Sequence, residues 1–438
     1  MDYDLVVVGG GPAGIGTAFT GAKLGLKVAI IERFNMLGGN WTNGYVLSIL
    51  GVYTYSGNTK IVGGIVDEII ERLKEINGTK GKIGNFVPFR PDEMKLILDT
   101  MAKELNIDVY FSSLVKNVVV KNNRIEKIII SKKGRTKSIK AKVFVDSSGD
   151  ADLAYISTKQ AMIGKEDTHE HQEATLPFRI GGINEKEVID FAKKNNDLVN
   201  VVLDDNGNLS RIKILPKLVE KYKEEQILYL PLANQEFLFN TGREGEFVCN
   251  ATHVIINDFT DGKEIANAII DARKQIISSL NFLKKEVPGF ENSYLIDSAP
   301  FIGIRETRRA IGEYVLTKDD VLNNRRFDDV IARCGHPIEV HDKKKGVYYI
   351  YLNGGNDSWY EIPYRAIVVK GIDNLFAVGR CISAEFEAQA SARVSGTAIA
   401  MGEAAATAAY LMIKKNVKAK EVDIKELQEM LKNQGAII

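Results

Sequence analysis

The sequence predicts an α/β protein built around an open parallel sheet. Three observations predict it. An apolar strand runs straight into a glycine-rich turn and a helix; residues 107–149 alternate as a string of short strands; and another short apolar strand lies near residue 375. Strand, helix and strand in that order are the pattern of a parallel βαβ unit.

Leu5–Val8 is apolar on both faces, as a central parallel strand requires. Gly9, Gly11 and Gly14 follow as G-x-G-x-x-G, with Pro12 and Ala13 opening a helix that reaches about Leu24 before Gly25 stops it. Gly9 permits the tight turn, Gly11 lets a pyrophosphate approach the backbone, and Gly14 lets helix and strand pack closely. Pro12 suits the first helical turn because its missing N–H would have no helical partner there. The unpaired N–H groups and the helix dipole at that end favour a phosphate. A second strand, Lys27–Ile31, ends in Glu32, 18 residues beyond Gly14. That is close to the spacing of a carboxylate that accepts from an adenosine ribose, and it would repel a 2′-phosphate. The stretch therefore predicts a dinucleotide, with Glu32 and the adjoining Arg33 beside it.

Later segments bear on which dinucleotide. Leu37–Leu47 (LGGNWTNGYVL) sets Gly38, Gly39, Asn40, Thr42 and Gly44 in a loop suited to pass close to a flat ligand. Strands are predicted at Asp108–Phe111, Val115–Lys121, Arg124–Ser131 and Lys137–Asp146, with turns at Asn122-Asn123 and Lys133-Gly134. The last strand runs into Ser148, Gly149 and Asp150, at a carboxyl end of the kind where open α/β sheets bind ligands. Asn374–Gly379 is a further buried strand, Arg380–Ser383 a connector, and a small-residue helix is predicted from about Gln389. A second strand–GxGxxG–helix unit for a separate nicotinamide nucleotide is not found, since Gly181-Gly182 and Gly354-Gly355 lack the flanking pattern.

The segments VVVGGGPAG, GGNWTNG, FVDSSGDADLA, GIRETRRAIGEYVLT, EIPYRAIV and NLFAVGRCISA…EAQASARV together resemble the FAD-dependent oxidoreductase family. These flavoproteins share the two-dinucleotide-binding-domain fold of glutathione reductase and fumarate reductase, here in the branch with a GG-x-x-T-x-G loop. The resemblance spans Leu5 to about Ala409. It implies a Rossmann-like FAD-binding domain with a three-layer parallel sheet and β-meander, plus an inserted α+β cap or substrate domain. It also implies extended FAD, with ribose on Glu32, pyrophosphate on Gly9–Gly14, and isoalloxazine between the Gly38–Gly44 loop and the Arg380–Ser391 segment. Val115, Gly379, Ser391 and Val394 complete the implied cofactor set. One departure stands out. The wider superfamily commonly ends the late strand in Gly-Asp, with the acid on the ribityl chain, whereas this sequence has Gly379-Arg380. The expected division is 1–152 with 364–415 for the FAD domain, 153–363 for the insertion, and 416–438 for a charged tail with a helix at Asp423–Lys432. The tail packs on the body or on a second subunit, which leaves a homo-oligomer open.

Within the insertion, Ile265, Ile269, Ile276, Leu280 and Leu283 recur at helical spacing in Gly262–Lys285, so that face is predicted to be core. Ile302–Tyr314 (IGIRETRRAIGEY) is densely cationic. Arg305 either offers a planar fork to a substrate carboxylate or pairs with Glu306 and Glu313, and Arg309 is expected to pair. His341 is the candidate for proton transfer because imidazole titrates near neutrality, while His336 reads as structural. Tyr364 and Arg365 precede re-entry into the cofactor domain and are expected on the flavin's substrate face. His169 and His171 would share one face of a strand as a polar rim, and no metal is expected because a third ligand is lacking. Cys381 reads as a small packing residue, with flavin attachment or thiol chemistry as the alternative.

The charges nearly cancel, 58 Lys+Arg against 57 Asp+Glu, so no global electrostatic case for nucleic acid exists. Three dispersed cysteines without a CxxC provide no dithiol relay, zinc knuckle or iron–sulfur ligands. The start MDYDLVVV lacks a basic head and cleavage site, and Thr397–Ile413 is interrupted by Gly402 and Glu403, so a cytoplasmic protein with no membrane span is expected. The predicted activity is hydride transfer between flavin N5 and a small organic substrate, with a carboxylate among the groups the arginines would hold. The alternatives are a reductase of isoprenoid or lipid double bonds and an RNA-modifying FAD protein.

Overall fold

The computed structural model describes residues 1–204, 207–343 and 346–438. Five parallel strands, β1 (Tyr3–Val8), β2 (Val28–Ile31), β3 (Asp108–Tyr110), β4 (Ala141–Asp146) and β5 (Leu375–Ala377), form the central sheet in the order β5-β4-β1-β2-β3. Val7 lies between Ile30 and Val145, and Phe376 pairs with Val145 on the far side. The edge strand next to β4 is therefore supplied by the last quarter of the chain.

Side chains alternate across a strand, and both faces of this sheet are covered. Leu5, Val7, Ile30 and Val145 share one core with Ile15 and Phe19 of helix α1 (Pro12–Lys23) and with Ile399 of the Ala-rich helix Ser395–Lys415. Val6, Val8, Ile31 and Phe144 belong to a second core with Ile125, Ile128, Ile130 and Ile139. Those four isoleucines come from an antiparallel meander of Leu114–Lys121, Arg124–Lys132 and Arg135–Ile139. Helices, parallel sheet and meander make the three expected layers.

Residues 178–298 build a second sheet of six antiparallel strands. Its order is Val199–Leu203, Leu209–Ile214, Glu236–Asn240, Phe247–Asn250, Phe178–Gly181, Tyr294–Ser298. The helix Gly262–Glu286 buries Ile276 and Leu283 and packs Ile265, Ile269 and Leu280 at the edge of the core, as their spacing predicts.

Three expectations need correction. The run predicted as one strand, Lys137–Asp146, is two, parted at Lys140, because the chain there leaves the meander for the parallel sheet; the Lys140 N–H donates to Asp2 Oδ2 instead, at 2.9 Å. The helix predicted from Gln389 is also two, Phe386–Ala392 and Ser395–Lys415. Val394 between them is extended (φ −66°, ψ 144°), which redirects the chain so that the second helix lies on α1. His169 and His171 share no strand: His169 turns at φ +57° and His171 pairs with Glu306 at 2.8 Å. Ser395–Lys415 is long and apolar enough to cross a membrane, and 89% of its apolar window is buried inside the fold. An alanine-rich core helix meets the same hydropathy criterion as a span.

The tail helix Ile424–Asn433 is capped by Asp423 and buries Leu427 and Leu431 against the body, where Gln428 Nε2 donates to Val330 O at 3.1 Å.

The contact of α1 with Ser395–Lys415 generates two predictions. A Cβ added at Gly402 would meet Ala13 O at 2.1 Å, a backbone atom that cannot rotate away. Gly402→Ala should therefore cost about 2–3 kcal/mol, the upper range for overpacking, read as a fall in Tm. Glu403, 3% exposed, accepts from the Ile65 N–H at the start of the helix Ile65–Glu75, and burial raises its carboxyl from 4.5 to about 8. The folded chain holds this proton more tightly than the unfolded chain. Its contribution to stability is thus full below the unfolded value of about 4.5 and is lost as pH rises towards about 8. Thermal melts of Glu403→Gln should match the parent near the lower limit and exceed it above the upper one.

Candidate active site

A cavity of about 690 Å3 runs from the glycine turn to the antiparallel sheet, within the usual size range of ligand sites. One end is lined by Gly9, Gly11, Pro12 and Ala13, with Glu32, Arg33, Gly39, Asn40, Val115, Ser148, Gly149, Gly379, Arg380 and Val394 along it. Gly9 has φ +101°, and a Cβ there would sit 2.4 Å from Ser147 O. Gly11, by contrast, has only Gly39 Cα within 4 Å of where a Cβ would stand, at 3.7 Å, so the turn presents bare backbone to the cavity. Glu32 is fixed at the end of β2: Oε2 accepts from Gly10 N at 2.6 Å and Oε1 from Phe34 N at 2.8 Å. This cradle fits the adenosine and pyrophosphate of an extended dinucleotide.

The remaining expected cofactor residues stand behind the wall. A Cβ at Gly14 would lie 1.9 Å from Gly9 O, so Gly14 serves helix–strand packing. Gly38 takes φ +109°, Thr42 Oγ1 donates to Leu37 O at 2.6 Å, and a Cβ at Gly44 would touch Asn40 Oδ1 at 3.0 Å, so these three shape the loop that presents Gly39 and Asn40. Ser391 Oγ donates to His336 O at 2.5 Å. Asp150 accepts from Arg380 at 2.6 Å, Arg33 at 2.9 Å and Thr307 at 2.8 Å. Burial alone would raise its carboxyl, but the two guanidiniums outweigh burial and hold it well below the usual carboxylate range. Arg380, the departure noted at the late strand, thus anchors on an acid from the end of β4.

The far wall carries Arg305, Arg393, His253, His341, Glu173 and Glu339. Arg305 Nη1 donates to Glu173 O at 2.6 Å, and Arg393 Nη2 to Glu339 O at 3.1 Å. Among the described residues neither guanidinium has a carboxylate within salt-bridge distance, and Arg393 Nη1 is buried without a hydrogen-bond partner. Burial lowers both, Arg393 to about 10, and a guanidinium keeps its charge inside a protein. The carboxylates are engaged elsewhere: Glu173 Oε2 with His253 Nδ1 at 2.6 Å, and Glu339 Oε1 with His341 Nε2 at 2.9 Å. Burial first, and Arg305 second, depress His341 to about 3, so its ring is neutral.

Several candidates lie elsewhere. Tyr364 is fully buried with its hydroxyl on Ala419 O at 2.7 Å, and Arg365 is exposed and paired with Asp329 at 2.9 Å; neither lines the cavity. Both sit in a short 3-10 turn after the strand Tyr360–Pro363, which sends them away from the cofactor side. Arg309 pairs with Glu306 at 2.7 Å and Arg308 with Asp152 at 2.5 Å, leaving Arg305 as the member of that run that faces the cavity. His336, by contrast, lines the cavity, with Nδ1 at 2.8 Å from Pro337 O and Nε2 at 3.8 Å from Glu339 Oε2. Cys381 is buried outside the cavity lining, its thiol on Val378 O at 3.4 Å, and burial raises it well above the usual thiol value. Sequence reasoning passed over Glu173, His253, Glu339 and Arg393. Arg393 stands in the quoted ASARV motif between two residues that were singled out; His253, alone in NATHV, gave no signal.

Against known proteins, the FAD dependent oxidoreductase family matches residues 4–431. A soluble pyridine nucleotide transhydrogenase of Ectopseudomonas mendocina is 50% identical over 42 residues, 10% of this chain and 9% of that protein. A thiamine thiazole synthase of Aeropyrum pernix is 28% identical over 133 residues, 29% of this chain and 43% of its own. The chain thus spans about a tenth of the transhydrogenase and under half of the synthase. Among solved structures, p-nitrophenol 4-monooxygenase PnpA of Pseudomonas putida DLL-E4 aligns with a TM-score of 0.50 at 11% identity, over 95% of this chain and 82% of its own, and shares the fold. With the family match covering nearly its whole length, and a cavity whose glycine turn and ribose acid fit the cofactor, this chain belongs to the FAD dependent oxidoreductase family.

Proposed function

We propose that the chain transfers a hydride between FAD and a small organic anion held at Arg305 and Arg393. The observation that carries this reading is the pair of cavity-lining guanidiniums with no carboxylate partner among the described residues. Cations withdrawn from water without a counter-charge are costly, and a ligand carboxylate would supply the missing partner with directional, charge-assisted hydrogen bonds. FAD, when bound, supplies the two-electron redox chemistry; the chain supplies position and charge.

The residues divide that work along the cavity. Gly9–Ala13 and Glu32 would hold the adenosine end. Arg33, lying over the adjoining rings of Phe34 and Phe301 at 5.0 and 5.1 Å, and Arg380 place positive charge along the middle. Arg305 and Arg393 orient the substrate anion, each fixed on a backbone carbonyl. Phe237, Phe239 and Val248 from the antiparallel sheet form an apolar wall that excludes water. That wall favours a second reading, reduction of isoprenoid double bonds, in which the same cavity takes a long apolar chain.

Flavin-loaded protein absorbing near ~450 nm should show spectral perturbation by small carboxylates and none by the matching amides. Arg305→Met and Arg393→Met should each weaken the carboxylate about 10–100-fold, the loss of a hydrogen bond to a charged group, while flavin content stays unchanged. Equal binding of acid and amide would overturn the anion reading, and preferential perturbation by long-chain isoprenoids would favour the second.

A further inference from the structure

We infer that Glu173, His253 and His341 form a binding site for one divalent transition-metal cation. They are 2%, 8% and 5% exposed, all three line the cavity, and one ligand-capable atom from each lies within 4.8 Å of the other two. Two imidazoles and one carboxylate on a single wall, open on the cavity side, are the donor set that retains a first-row metal and leaves positions free for substrate.

The surroundings are those of a built site. Glu339 Oε1 lies 2.9 Å from His341 Nε2, which fixes the ring and leaves Nδ1 as the remaining donor; that atom is buried and has no hydrogen-bond partner. A carboxylate behind a ligating histidine is the usual outer-shell arrangement, setting tautomer and ring orientation. His253 is held at both backbone groups by Gln275, whose Oε1 accepts from His253 N and whose Nε2 donates to His253 O, each at 3.0 Å. The three segments are tied together directly: Glu173 N donates to His341 O at 3.2 Å, and Ala174 and Val254 exchange backbone hydrogen bonds at 2.9 and 3.0 Å. Ligands separated by some 80 residues in sequence therefore meet on paired backbones.

His253 Nδ1 and Glu173 Oε2 share a hydrogen bond of 2.6 Å, and a cation entering between them takes its place. Arg305 and Arg393 oppose a weakly held cation, which favours nitrogen-preferring Zn2+, Co2+ or Fe2+ over Mg2+ and Ca2+. In place of the proton transfer expected of it, His341 becomes a ligand. The inference does not depend on the identity of the substrate.

The test uses the flavin-loaded chain, stripped with a chelator and desalted. Calorimetric titration with Zn2+ and with Co2+ should give one site per chain. Flavin content, read from the same sample, monitors the cofactor separately. His253→Ala and Glu173→Gln should each weaken the metal at least 10-fold. Glu339→Gln, which leaves all three ligands in place, should weaken it about 10–100-fold, as outer-shell changes do. Zn2+ should raise the Tm of the parent chain and leave that of folded His253→Ala unchanged. No stoichiometric binding by the parent, or parent-like affinity in the folded variants, would overturn the inference whatever the flavin content.

Discussion

Where α1 crosses the Ala-rich helix Ser395–Lys415, neither helix has room for a side chain. A Cβ at Gly16 would stand 2.4 Å from Ile399 O, and one at Gly402 2.1 Å from Ala13 O. Close backbone approach keeps the dispersion contacts of a dense core without any long side chain. It also brings residues from the two ends of the chain to the same place. Gly379 stands against Ala13, where an added Cβ would be 2.8 Å from the alanine methyl, so the late strand closes the cavity over the first turn. Lengthen a side chain at the crossing and the two halves of the cofactor wall part.

Charge is organised across the same seam. Asp150 follows β4 and Arg380 follows β5, neighbouring parallel strands, and their 2.6 Å contact closes the carboxyl end of the sheet. Where the wider superfamily commonly has an acid after the late strand, this chain has Arg380, and the acid it meets follows β4. The result leaves a cation beside the cavity at a position where an acid is commoner. Asp150 is shared with Arg33, so one carboxylate serves two guanidiniums there.

What was legible in the sequence follows from how local each signal is. The first turn could be read residue by residue because Gly9, Gly11, Gly14 and Glu32 act within one βαβ unit, where spacing fixes position. The apolar face of Gly262–Glu286 was legible because burial imposes a period. Lys140 and Val394 were not: the strand and helix patterns continue unbroken through both, and only the need to change layer or direction breaks them. Tyr364 and Arg365 have the right chemistry and the right neighbourhood in sequence, but a single 3-10 turn points them away. Glu173, His253 and His341 share no segment at all. Backbone pairing between their segments assembles them, and spacing along the chain carries no trace of that pairing.

The far wall repeats one unit twice. Arg305 rests on the backbone carbonyl of Glu173, whose carboxylate holds His253; Arg393 rests on the backbone carbonyl of Glu339, whose carboxylate holds His341. In each unit the acid gives its charge to an imidazole and only its peptide oxygen to the arginine. The guanidiniums are therefore positioned without being neutralised, and their field is directed into the cavity. A carboxylate substrate would meet that field directly. A cation on the histidines adds to it, so anion and metal stabilise one another on this wall, each raising the affinity of the other by the same factor.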